Sequence, residues 1–267
     1  MSAVRDDQPG SGRMSHFLAV LSAEGLKLRT LRSTWWNLAA VVALSVGIGF
    51  LYGSVIKGNY ADFGAKPAFD AVGYGFAGTN VAQLALVCFG VLAVGAEYSA
   101  GTVRASLTAV PRRGVFGAAK LTAVAVTAFA VTLPTAFLTF AVAQTAMGER
   151  QNASLGDPGA LRAVVGLAVY LTLLCLISAA VTMMLRSTVL SLGILVPLFF
   201  IVSDILASLP GVGAVARYLP NVAGVQLMRV TPDDRIDVDA WGALGVLLLW
   251  TAVALCGGLA TLRRRDA

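Results

Sequence analysis

Apolar residues fall along this chain in six long blocks, at 35–56, 74–96, 121–146, 163–185, 188–209 and 241–262. Each block is 22 to 26 residues long, and a helix of ~20 residues crosses the hydrocarbon of a bilayer. Transmembrane strands alternate apolar and polar side chains over ~10 residues, whereas these blocks are apolar on all sides. Lipid offers a backbone amide no partner, so a spanning segment must satisfy its own hydrogen bonds. The blocks therefore predict an all-α membrane protein with one six-helix domain over 35–262. The polar stretch 1–13 is expected to be disordered and 263–267 to form a short tail.

Ahead of the first block the pattern changes. Phe17, Leu21, Leu28, Leu31 and Trp35 recur at helical spacing, which predicts an amphipathic interfacial helix over 14–34. Lys27, Arg29 and Arg32 flank its apolar face and can reach toward lipid phosphates. Trp35 and Trp36 stand where interfacial aromatics occur. Two readings stay open for this helix, a membrane-surface anchor and a contact surface for a cytoplasmic partner. Glu24 falls near the centre of the apolar stripe, where a carboxylate needs a partner. Lys27, one turn on, is the nearest one.

The segment between the second and third blocks is also patterned. It starts with Glu97, bends at Gly101, and offers Thr102 as a helix cap. Val103, Leu107 and Val110 then repeat every three or four residues, Pro111 ends the run, and Arg112, Arg113 and finally Lys120 follow. The expectation is a short helix lying across the membrane face, able to pass force from a soluble partner into two spans.

Composition narrows the class. Of the 267 residues 57% are apolar and 13% are charged, against roughly 25% charged in a soluble domain. The mean hydropathy is +0.79. These values exclude a soluble enzyme, a disordered chain and a secreted disulfide scaffold. Cys88, Cys175 and Cys256 all lie in blocks and read as small packing residues. The net charge of +6 does not mark nucleic acid, because it is unevenly spread. With both termini on one side, 13 of the 20 Lys and Arg residues share that side and 8 of the 14 acids lie opposite. That imbalance places both termini in the cytoplasm of a multi-pass cell-membrane protein, with anionic headgroups near the basic residues. A polar lead holding Asp6 and Asp7 is unlike a signal peptide, so the first span is expected to remain.

Catalytic constellations are missing from the sequence. It holds no Gly-x-x-x-x-Gly-Lys-Ser/Thr phosphate loop, one histidine, His16, before the first span, and one carboxylate within a span, Asp204. The expectation is a non-enzyme that binds no cofactor or metal of its own. Asp204 could face a transport path, bind a cation or relay protons. It could equally be hydrated near the outer interface or bonded to Ser203 or Ser208. Gly49-x-x-x-Gly53 permits close helix contact within one subunit or between two. Pro134 and Pro197 can bend their helices. Residues 214–228 are too apolar for a free loop and predict one or two short external helices before the last span.

Glu97-x-x-x-Gly101-Thr102, a short helix, Pro111-Arg112-Arg113 and Lys120 together resemble the permease subunits of ABC-2 type transporters. The segment Glu24-Gly-Leu-Lys27-Leu-Arg29-Thr-Leu-Arg32-Ser-Thr-Trp35-Trp36 is similar to the matching part of bacterial, especially actinobacterial, members. The resemblance spans nearly the whole chain. It implies a coupling helix over 97–113, with Gly101, Thr102 and Arg104 at matching positions, docked on a separate ATP-binding subunit. The interfacial helix would be a second contact. Two permeases would pair, with spans one and five at the seam, and ATP would be used by the partner in an exporter. The residues alone also admit a non-transporting scaffold or sensor subunit, or a secondary carrier built on Asp204.

Overall fold

A computed structural model describes residues 11–59, 69–102, 108, 112–209, 213–231 and 238–265, with backbone alone at 11–13, 204, 207, 214 and 265. Regular structure among them is entirely helical. In chain order the helices are α1 (Ser11–Thr30), α2 (Arg32–Gly58), α3 (Ala71–Gly75), α4 (Thr79–Ser99), α5 (Arg113–Met147) and α6 (Ala160–Leu185). There follow α7 (Thr188–Pro197), a π-turn (Leu198–Val202), α8 (Ser203–Ser208), α9 (Gly213–Ala216), α10 (Pro220–Val225), a 3-10 turn (Gln226–Met228) and α11 (Ala240–Arg265).

Five of these helices, α2, α4, α5, α6 and α11, are long and apolar enough to cross a membrane. The chain thus has the make-up of a multi-pass membrane protein. The block at 188–209 differs from the expectation of a sixth uniform span. It is helical from Thr188 to Ser208, but a π-turn divides it directly after Pro197. Proline lacks the amide that would continue the regular ladder, and wider turns of this kind absorb such a break.

Other boundaries move for local reasons. The interfacial helix ends at Thr30 rather than 34, because Leu31 is extended (φ −78°, ψ 120°). Trp35 and Trp36 therefore open α2, and the Trp35 indole donates back to the Arg29 carbonyl at 2.8 Å. The second span starts at Thr79, after α3 and a turn, rather than at 74. The third begins at Arg113, well ahead of the apolar block, and its 35 residues run unbroken through Pro134. At 1.5 Å per residue it is roughly 52 Å long, against about 30 Å of hydrocarbon. The excess carries Phe116 and Lys120 as helical residues toward α1.

α6 is the centre of the bundle. Leu167, Tyr170, Leu171, Leu174, Cys175 and Ile177 are all buried in it, and α4, α5 and α11 pack around it. α2 packs across α4 and α5, and α1 rests on α5. Small residues allow these approaches. Gly49 faces the Gly75 carbonyl and Thr139, and Gly53 faces the Ala143 carbonyl and Ala146. The Gly49-x-x-x-Gly53 pair is thus a contact inside one chain. The exterior of α2, α7 and α11 remains apolar, with Phe50, Leu51, Val189, Ile194, Leu249 and Val253 exposed. Cys175 is buried and Cys256 exposed, and the three thiols are unbridged.

At the end away from α1, the expected short helices form over 213–228. The following strand of backbone is gripped from two sides. Arg162 donates to the carbonyls of Leu227 (3.4 Å) and Arg229 (2.7 Å). Asp70 caps α3 through the Gly73 amide and also accepts from the amides of Val230 and Thr231. Deeper in, the π-turn carbonyl of Phe199 accepts from Asn221 (3.2 Å) and more distantly from Gln83, whose own amide oxygen accepts from the Tyr170 hydroxyl. Asp204 belongs to α8, with its side chain outside the described residues.

Candidate functional site

Where α1, the end of α4 and the start of α5 meet, four charged side chains close into a ring. Lys120 donates to Glu24 Oε2 at 2.6 Å and pairs with Glu97 Oε1 at 2.9 Å. Lys27 pairs with Glu24 Oε1 at 2.7 Å and with Glu97 Oε1 at 3.1 Å. Acids and lysines alternate, so the ring sums to zero charge. Glu24 and Lys120 are sealed, with side chains 4% and 6% exposed. Glu97 at 15% and Lys27 at 45% face outward. The Phe116 ring lies beneath both ammonium groups, with centroids 5.9 Å from Lys27 and 5.4 Å from Lys120, close enough for a cation–π attraction.

The helices dictate this meeting. Val20, Glu24 and Leu28 lie four residues apart on the buried face of α1, with Phe17 and Leu21 packed beside them. The expected stripe is therefore shifted: Leu31 and Trp35 are exposed and Val20 joins the core. Phe116 and Lys120 are likewise one turn apart on α5 and face α1. Glu97 lies in the last turn of α4, which stops at Ser99 because the chain turns left-handed at Gly101, with φ +68°. The Thr102 amide then closes on the Glu97 carbonyl at 3.1 Å and the Gly101 amide on that of Tyr98 at 3.3 Å. This is a regular glycine C-cap, so Thr102 finishes the preceding helix. A β-branched residue at Gly101 is strained there. Gly101→Val is expected to cost about 1–2 kcal/mol and Gly101→Asn much less, measured as the shift in thermal unfolding of the purified protein.

Burial alone pushes the Glu24 carboxyl up, but Lys120 and Lys27 together hold it below its ordinary value of 4.5. Burial likewise pulls the Lys27 ammonium down, and its bonds to Glu24 and Glu97 leave it above its ordinary 10.5. The stability from Glu24 is present above pH 4.5 and is lost as pH falls through the lower folded value. That from Lys27 is full below pH 10.5 and fades as pH rises through the higher one. The protection factors of the α1 amides, the intrinsic exchange rate at each pH divided by the observed rate, should therefore be high and flat across neutral pH and fall at both extremes.

The sequence paired Glu24 with Lys27, and the structure adds Lys120 and Glu97. Two opposite charges in apolar surroundings, Glu24 in a stripe and Lys120 at the head of a span, were the available signal. Their meeting across 96 positions was not readable. Arg29, Arg32 and Arg112 are exposed and Arg113 half-buried, all outside the ring. Arg104 and Pro111 lie outside the described residues. Beside the ring is an open cavity of about 840 Å³ between α1 and α4, reached by His16, Thr30 and Thr102. Among the described residues no group of three or more His, Cys, Asp or Glu side chains is placed to hold a metal ion. No protein-family model matches the chain, and no match is found among curated proteins.

Proposed function

We propose that this chain is the membrane-spanning permease subunit of an ATP-driven ABC-2 type exporter. It would work as a homodimer in the cell membrane with both termini cytoplasmic, coupled through 97–113 to a separate ATP-binding subunit. The helical run 188–208 would be its sixth crossing, counted fifth along the chain. The ion-pair ring carries this reading. It joins the interfacial helix, the last turn of α4 and the first turns of α5 into one body at the base of the 97–113 segment. A push on that segment would reach two spans and α1 together, as a lever requires.

The test is co-purification. A P-loop ATPase should travel with the chain and be lost in Gly101→Arg or Arg104→Glu, and cargo movement should require ATP. An ATPase whose turnover stays unlinked to cargo would mark a scaffold instead. Labelling of 97–120 from outside the cell would overturn the proposal, since no cytoplasmic motor could reach it.

A further inference from the structure

The cavity beside the ring is bounded at one end by members of the ring itself. Its walls are apolar: Ala19, Val20, Ala23 and Leu28 on α1, Ala93 and Ala96 on α4, with Ala100 just past that helix and Phe116 on α5. One end is charged, and the ring members there with solvent access have opposite signs, Lys27 and Glu97, 3.1 Å apart. Its level is marked independently. Trp35 and Trp36 are exposed at the start of α2, and Met14, Leu18 and Leu26 are exposed on α1 with Arg29 and Arg32 close by in the chain. This is the pattern of a helix lying at a bilayer surface. A lipid of that leaflet would reach the cavity without leaving the membrane.

The headgroup follows from the charges. A purely anionic lipid would place its phosphate on Lys27 and be repelled by Glu97. A zwitterion with a phosphate and an ammonium matches both. A quaternary ammonium has no N–H to give a carboxylate, whereas a primary ammonium has three. We propose that the cavity between α1 and α4 binds one phosphatidylethanolamine molecule. Its phosphate would sit on Lys27, its ammonium on Glu97, and an acyl chain along the apolar walls. The inference holds for the chain by itself and does not depend on an ATPase partner.

The experiment offers the full-length protein, in detergent, phosphatidylethanolamine, phosphatidylcholine and phosphatidylglycerol of the same acyl composition, and reads bound lipid by native mass spectrometry. Phosphatidylethanolamine should be retained about ten-fold over the other two, the worth of a charge-assisted hydrogen bond. Ala96→Leu, which fills the cavity, and Glu97→Gln, which removes the carboxylate that distinguishes the headgroups, should each erase that preference. Equal retention of the three lipids, a preference for phosphatidylglycerol, or a preference unchanged in both variants would overturn the proposal. A photoactivatable phosphatidylethanolamine, used on the unaltered protein, needs no variant to fold. Its crosslinks should map to 14–31 and 93–102, and crosslinks confined elsewhere would equally refute the site.

Discussion

Lys120→Ala should be among the most damaging single changes in the molecule, costing about 3–5 kcal/mol. The lysine is sealed against Glu24, which is itself sealed. Removing it takes away the 2.6 Å bond to Glu24 Oε2 and the 2.9 Å bond to Glu97. Lys27 still reaches Glu24 Oε1, but one carboxylate oxygen remains desolvated with no cation beside it. The cost is mostly that orphaned charge rather than the net worth of the pair. The double variant Glu24→Gln with Lys120→Met removes both buried charges at once and should regain most of the loss. A double-mutant cycle over Glu24→Gln, Lys120→Met and the pair, in denaturant titrations of the detergent-solubilised protein, measures this. Additive losses in the two single variants would mean the residues act separately.

The second large effect is steric. A Cβ at Gly53 would stand 2.6 Å from the Ala143 carbonyl oxygen and 2.9 Å from the Ala146 Cβ. The first of these is backbone of α5 and cannot rotate aside. Gly53→Val should therefore push α2 off α5 and destabilise the protein by about 3 kcal/mol, the upper range for overpacking. Gly47, two turns earlier on α2, meets nothing within 4 Å. Gly47→Ala should be neutral, or stabilising by up to about 1 kcal/mol through helix propensity. Comparing thermal midpoints of the two variants separates packing from propensity. The contrast also bears on assembly. Because Gly53 is used inside one chain, a second subunit against α2 would meet its exposed Phe50, Leu51 and Val55.

Much of the bundle was legible because lipid-crossing helices advertise themselves by length. Five of the six apolar blocks each hold one long helix, and the short helices over 213–228 stand where the residues implied. Boundaries were less legible. Polar residues can extend a helix past the hydrocarbon, so α5 starts at Arg113 instead of near 121. A proline in an apolar run does not announce its remedy. Pro134 leaves α5 intact, whereas Pro197 is followed by a π-turn whose Phe199 carbonyl is met by Asn221. Asn221 lies in a segment that the sequence marked only as one or two short external helices, so that contact had no local signature.

The amino-acid sequence by itself determined the class: long apolar runs have no soluble solution, and a helix is the structure that satisfies its own backbone in lipid. It also determined that Glu24 needed a cation, since a carboxylate on an apolar stripe cannot stay alone. Which cations came, and from where, was decided by the packing of α1 on α5. Lys27 is a neighbour in the helix, but Lys120 and Glu97 reach the same point only because three helices converge there. Charge pairing within a turn follows from helical geometry, whereas pairing across 96 positions depends on how apolar faces fit together, and that fit is a property of the assembled bundle.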